Sequence, residues 1–241
     1  MPPLVSHLLA QLWNGLLDII YPPFCVVCGK PDQDYLCKEC CDQITLLRSQ
    51  QCRRCGRPHN DFVKVHCECS SQEYYFDQAR CVGIYDGVLR EAIHALKYDS
   101  QIAVCEPLSR LMADEFFRVY PGLQIDLVVP VPIHKSRFLE RGFNQASELG
   151  KRFAKSVGIP FSDTVLRKWR KTPDQVGLLE HERTTNVQGS FAVCQAAHLT
   201  GKKILLIDDV FTTGSTLSEA ARILRQGGAS SVHAYALARS V

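Results

Sequence analysis

The stretch "ILLIDDVFTTGST", residues Ile204 to Thr216, decides how the rest of the chain is read. Four aliphatic side chains end at two adjacent carboxylates, Asp208 and Asp209. The hydroxyls of Thr212, Thr213, Ser215 and Thr216 then surround one glycine, Gly214. A short continuous apolar run is the pattern of a strand covered on both faces, as in a parallel sheet. Leu217, Ala220, Ala221 and Leu224 follow at helical spacing and stop at Gly227 and Gly228. The loop therefore leads a buried strand into a helix N-terminus, where unpaired N–H groups and the helix dipole favour an anion. Ligands of open α/β sheets bind beyond the carboxyl ends of the strands. Gly214 permits close approach and the hydroxyls donate, so the loop suits a phosphate. The two acids cannot serve that phosphate; they suit hydroxyls or a metal ion beside it. A ribose 5-phosphate meets both demands. A Walker loop does not match, because its glycine run and lysine are missing. Two charges at a strand end repel, so a bound group is expected to offset them. Neutralising both is then expected to raise the melting temperature of the ligand-free protein.

Outward from this stretch, strands and helices alternate. "ARCVGIY" from Ala79 reads as a strand, and residues 88–98 and 107–120 as helices. "IDLVVPVP" (125–132) is a second buried apolar strand. Residues 142–158 carry helical period through Phe143, Ala146, Leu149, Phe153 and Ala154. A strand is possible over 164–169, and "SVHAYALAR" closes the chain as another. This alternation predicts an α/β domain with a mostly parallel sheet flanked by helices. Residues 168–190 turn polar and rich in Arg, Thr and Gln. Such a segment is either a solvated excursion or a loop that closes over a ligand, with Arg170, Lys171, Thr172, Gln175, Arg183 and Asn186 as candidates.

The chain has 241 residues, with 46% hydrophobic and 22% charged side chains, an ordinary globular balance. A net charge of +3 is too small to mark a nucleic-acid binder by itself. Residues 1–24 are apolar but interrupted by Gln11, Asn14, Gly15 and Asp18. They lack the basic start of a signal peptide and the unbroken run of a membrane span. An amphipathic helix that packs on the body or a partner is expected there, with no membrane span.

Nine of the twelve cysteines lie between Cys25 and Cys69. They form the pairs Cys25–Cys28, Cys37–Cys40, Cys52–Cys55 and Cys67–Cys69. Without a signal peptide the compartment is taken as the cytoplasm, where disulfides are rare and clustered thiols hold metal. Two-residue spacing turns both sulfurs of a pair toward one tetrahedral ion, and Gly29 and Gly56 let the backbone fold back beneath it. Two structural Zn²⁺ sites are expected, sequential along the chain. Cys41 is an alternative to Cys40. His66 is an alternative ligand at the second site, where the Cys67–Cys69 gap is irregular. Arg48, Arg53, Arg54, Arg57 and Lys64 make this module basic, which is either a solvated face or a nucleic-acid contact. The expected organisation is a helix over 1–24, a double zinc-ribbon module over 25–70 and a catalytic-type domain over 71–241.

"LLIDDVFTTGST" resembles the phosphoribosyl-diphosphate (PRPP) motif of type I phosphoribosyltransferases. "VVPVPIHKSRFLERGFNQASELGKRFA", "KTPDQVGLLEHERTTNVQGSF" and the cysteine pairs ahead of "ALKY" resemble the ComF (competence protein F) family over nearly the whole chain. The resemblance implies the type I phosphoribosyltransferase fold with an N-terminal zinc ribbon, and displacement of pyrophosphate from PRPP by a nitrogen nucleophile. It implies that Asp208 and Asp209 hold the ribose hydroxyls, with Mg²⁺ accompanying PRPP, while Val210, Phe211 and the loop Thr212, Thr213, Gly214, Ser215 and Thr216 hold the 5-phosphate. Pro132, Ile133, His134 and Lys135 would line the pyrophosphate, joined by Arg137 and by Arg141 as a catalytic cation. Asn144 and Gln145 open the next helix within reach. The family also implies a role in handling imported DNA during competence.

Two readings of function stand side by side. One is a phosphoribosyltransferase whose acceptor no residue identifies. The other is a non-catalytic module that senses PRPP or a nucleotide and docks single-stranded DNA or DNA-processing proteins through its zinc ribbon.

Overall fold

The computed structural model describes residues 23–48, 51–58, 69, 73–99, 101–171 and 187–241. The expected N-terminal helix, His66 and Cys67, and the loop candidates Thr172, Gln175, Arg183 and Asn186 lie outside the described residues.

Four strands form one parallel sheet: β1 (Gln78–Ile84), β2 (Leu127–Pro130), β5 (Lys203–Phe211) and β6 (Ser231–Arg239), in the order β1-β6-β5-β2. The central strands β5 and β6 are buried over most of their length, and the short β2 is buried throughout. Helices α2 (Gly87–Tyr98), α3 (Cys105–Val119) and α5 (Gln145–Val157) pack on one face, against Leu205, Ile207, Tyr235 and Leu237. Helix α6 (Ser215–Gln226) covers the other, against Ile204, Leu206, Ala234 and Ala236. Burial on both faces is why these strands read as apolar runs rather than as alternating ones.

Three local expectations change. First, β5 does not stop at the acids. It runs through Asp208 and Asp209 to Phe211, pairing with β6 as far as Phe211 opposite Arg239. Its pairing with β2 ends at Pro130 opposite Ile207. The acids therefore lie where the sheet narrows to a neighbour on one side only. Second, the strand anticipated over 164–169 is shortened to β3 (Leu166–Lys168), which pairs antiparallel with β4 (Phe191–Val193) in a separate ribbon. Third, a short helix α4 (Lys135–Arg141) precedes α5, and Gly142, at φ +85°, ends it. No α4 residue is buried, so it left no apolar period to read.

The cysteine segment is not a detached satellite. Cys25, Leu36, Cys37, Cys40 and Ile44 join the same apolar cluster as Leu89, Ile93 and Met112. Residues 45–47 run beside β1: the Leu47 amide donates to Val82 and the Ile84 amide to Thr45, at 2.8 and 2.9 Å. They occupy an edge that would otherwise present unpaired backbone groups. Arg48 adds an ion pair at 2.9 Å to Glu115 of α3, which also meets Arg118.

Candidate phosphoribosyl and zinc sites

At the carboxyl ends of β2 and β5 lies a cavity of about 740 Å³. Two helix N-termini open onto it: that of α5 at Asn144–Ala146 and that of α6 at Gly214–Leu217. Arg90, Lys97, Arg137, Arg141, Lys168 and Lys171 line it, against two carboxylates, Asp208 and Asp209. Six cations and two helix dipoles facing two acids give the cavity a charge balance that suits a polyanion, with one acidic corner.

Of the candidates, Asp208, Asp209, Val210, Phe211, Thr212, Gly214, Thr216, Pro132, Ile133, His134, Arg137, Arg141, Asn144 and Gln145 all line the cavity. Lys135, Thr213 and Ser215 do not. Lys135 is exposed. The Thr213 and Ser215 hydroxyls hydrogen-bond each other at 2.8 Å, and Tyr74 donates its phenol to the Thr213 carbonyl at 3.0 Å. Several lining residues are already engaged. His134 caps α4 by accepting the Ser136 amide on Nδ1 at 3.1 Å. Asn144 caps α5 through the Ala146 amide and donates to the Val131 carbonyl, at 3.2 and 3.1 Å. Gln145 differs. It is buried, it lines the cavity, and its side-chain oxygen has no hydrogen-bond partner. Such an orphan is costly unless a ligand donates to it.

Gly214 has a different role from the one its loop position suggests. Its φ is +85°, and a Cβ there would lie 2.5 Å from the Phe211 ring and 3.0 Å from Tyr74. The missing side chain is needed for packing inside the loop, not only for access from the cavity. A valine at 214 would break the fold of the loop and is no clean test of ligand binding.

The acidic pair is asymmetric. Lys97, from α2, places its ammonium 2.7 Å from Asp209 Oδ2. Burial works against ionisation of Asp209, but the Lys97 charge outweighs it and holds the carboxyl below its ordinary range. Burial, reinforced by the Asp209 charge, pushes Asp208 well up. Lys97 thus offsets the charge on Asp209, while the repulsion expected between the two acids persists at Asp208. Neutralising both would strand Lys97, which overturns the expectation of a higher melting temperature.

Sequence reading passed over Lys97 and the rest of its helix face. Arg90, His94, Lys97 and Tyr98 all line the cavity from α2. Their spacing of four, seven and eight residues puts them on one stripe, beside the buried Leu89, Ile93 and Leu96. That polar stripe was the available signal. Arg239, at the end of β6, was also missed. It is buried, stacks 4.4 Å from the Phe211 ring, and donates to the carbonyls of Phe211 and Thr212, bracing the loop from behind.

The thiols assemble in two groups. The sulfurs of Cys25, Cys28, Cys37 and Cys40 all lie within 4.8 Å of one another, as do those of Cys52, Cys55 and Cys69. Tetrahedral zinc with bonds of about 2.3 Å sets sulfurs about 3.8 Å apart; Cys28–Cys37 and Cys52–Cys69 are at 3.6 and 3.7 Å. The two knuckles share one geometry. Cys25 and Cys52 each accept on their carbonyl from Gly29 and Gly56, both at positive φ, and each donates its amide five residues on. The Cys37 pair differs, sitting at the start of α1 (Lys38–Cys41). Cys41 points its thiol at the Leu36 carbonyl and is not part of the cluster. Burial disfavours the Cys25 thiolate, but hydrogen bonds from the backbone of Cys28, Cys37 and Val27 outweigh it and lower the group to about 6. Similar bonds lower Cys52 to about 7 against its burial. Each cluster thus has one thiol lowered toward neutrality, while burial pushes Cys40 up.

The double zinc ribbon domain family matches residues 16–73, and the phosphoribosyl transferase domain family matches residues 139–240. Competence protein ComFC from Bacillus subtilis is 30% identical over 221 residues, 88% of this chain and 86% of that one. The chain belongs to the ComF family. Competence protein F from Haemophilus influenzae is 29% identical over 210 residues, covering 85% of this chain and 90% of its own. DNA utilization protein YhgH from Escherichia coli is 28% identical over 204 residues, 83% and 89% of the two chains. This ComF chain therefore combines a type I phosphoribosyltransferase fold with a ribbon whose thiols hold structural zinc. No described helix is long and apolar enough to cross a membrane.

Proposed function

We propose that this chain binds PRPP in the cavity and transfers its ribose 5-phosphate to a nitrogen acceptor, in a cytoplasmic role linked to the handling of DNA. The observation that carries the reading is the convergence of the acidic pair, two helix N-termini and six cations on one cavity. Thr212, Gly214 and Thr216 with the α6 N-terminus would take the 5-phosphate, and the acidic corner the ribose hydroxyls. Arg137 and Arg141, beside the loop 132–135, would take the pyrophosphate, since a guanidinium fork matches phosphate oxygens. The acceptor nitrogen would bond to C1 as the C1–oxygen bond breaks. That electron pair leaves on pyrophosphate, and the acceptor's proton passes to solvent. The cations would stabilise the departing charge. Mg²⁺, when bound, would neutralise part of the pyrophosphate charge. The donor set suits a metal that arrives on the ligand, because Asp209 is already paired with Lys97.

The link to DNA rests on the relatives' names, competence protein and DNA utilization protein, and on the basic zinc module, which would dock single-stranded DNA or DNA-processing proteins. One contact favours the sensing alternative. Arg54 of the second knuckle stands 5.8 Å over the Tyr74 ring, and Tyr74 holds the Thr213 carbonyl. A filled phosphate loop and the ribbon would then report on each other without catalysis. Calorimetry with PRPP, with and without Mg²⁺, tests the binding. A panel of bases and nucleotides added to the complex, with pyrophosphate release followed, tests the transfer. Saturable PRPP binding with no release for any acceptor would favour the sensor, and no binding would overturn both.

A further inference from the structure

The acidic corner carries its own cation. Lys97 and Asp209 are both largely out of solvent, with side chains 18% and 8% exposed. Asp209 spends Oδ1 on the Val210 amide at 2.8 Å and Oδ2 on the Lys97 ammonium at 2.7 Å. Asp208 is the more exposed of the two, lines the cavity, and has Oδ1 on the Asp209 amide at 2.9 Å. A divalent ion between the acids would need several oxygens at about 2.1 Å in octahedral array. The Nζ–Oδ2 contact already engages one of the oxygens such an ion would use, and Arg90 on the same helix stripe adds a second positive charge to the cavity.

We infer that Lys97 is a positioning residue for the ribose end of the ligand. Its ammonium commits Asp209 to the protein and leaves Asp208 as the carboxyl group that meets the ribose hydroxyls, so that a ribose 5-phosphate binds without a divalent cation. This rests on the phosphoribosyl reading above. It separates the two halves of PRPP: the pyrophosphate brings a metal, and the ribose phosphate does not need one.

The test uses ribose 5-phosphate, which lacks the pyrophosphate, on the full-length zinc-loaded chain. Wild type should bind it equally in EDTA-free buffer with no added divalent ion and in Mg²⁺. Lys97→Met leaves the corner with two uncompensated acids. It should lose about tenfold or more in affinity without Mg²⁺, the scale of one lost charge-assisted contact, and regain part of it when Mg²⁺ is added. Lys97→Arg should keep metal-independent binding. Lys97→Met with Asp209→Asn removes the ion pair as a unit, leaves Asp208 as the one acid, and should recover metal-independent binding, and it serves as the test if the single variant does not fold. A ribose 5-phosphate affinity that depends on Mg²⁺ in the wild type, or that is unchanged in Lys97→Met, would overturn the role of Lys97. A wild type that binds neither ribose 5-phosphate nor PRPP in either buffer would overturn the phosphoribosyl reading instead.

Discussion

Replacing Asp209 and Asp208 by asparagine, one at a time, should move stability in opposite directions although the residues are adjacent. At an N–O separation of 2.7 Å and an effective dielectric constant of about 20, Lys97 and Asp209 attract by about 6 kcal/mol before desolvation is charged against them. Removing one partner of a buried pair costs about 3–5 kcal/mol, because the other is left uncompensated. Asp208 remains near Lys97 and can accept part of its charge, so Asp209→Asn should fall at the low end, about 3 kcal/mol. With about 2–4 °C per kcal/mol for a protein of this size, the ligand-free variant should melt about 6–12 °C lower. Asp208→Asn removes a carboxylate that the fold disfavours in its charged form, and should melt at or a few degrees above wild type. The pH dependence should separate them as well. Asp209, with a lowered folded-state pKa, contributes stability above the ordinary aspartate value of 3.8 that is lost as pH falls through the lowered value. Asp208, with a raised one, contributes stability below 3.8 that is lost as pH rises through the raised value. Asp208→Asn should therefore flatten the decline that wild type shows as pH rises from acid. Thermal melts by circular dichroism across that range, without ligand, make the measurement. Equal melting of the two variants, or an Asp209→Asn that melts above wild type, would refute the asymmetry of the pair.

Elemental analysis of anaerobically purified protein should find close to two zinc ions per chain, one for each thiol cluster; none would remove the ribbon. Gly214→Ala should destabilise the ligand-free protein by about 1–3 kcal/mol, since the added methyl meets Phe211 and Tyr74. An unchanged melt with weakened PRPP binding would restore a purely ligand-facing role. Arg239→Met should weaken PRPP binding by loosening the 211–212 carbonyls it holds, read by calorimetry; an affinity equal to wild type would make Arg239 a packing residue only. Reversing charge at Arg53, Arg54 and Arg57 should weaken single-stranded DNA binding and flatten its salt dependence. Equal binding by that triple variant would leave these arginines as surface.

Some of this protein was written in local sequence and some was not. The phosphate loop, the acids and the helix behind them are contiguous, so the aliphatic run, the hydroxyls and the glycines declared strand, loop and helix without reference to anything distant. The same holds for the zinc knuckles, where pair spacing and the glycines Gly29 and Gly56 fix the local geometry. Burial of both sheet faces was legible too, because it leaves apolar runs rather than alternation. What the sequence could not carry were pairings across the fold. Lys97 meets an acid 112 positions later, and in the sequence it is one cation on an ordinary amphipathic helix. Arg239 reaches back 28 positions to the loop it braces, Tyr74 forward 139 to the Thr213 carbonyl. Gly214 reads as an opening for phosphate until the Phe211 ring is seen beneath it. Charge identity and local period are properties of the chain. Which charge is buried beside which, and so which of two neighbouring aspartates is held ionised, is set only when the helix of Lys97 packs over the end of β5.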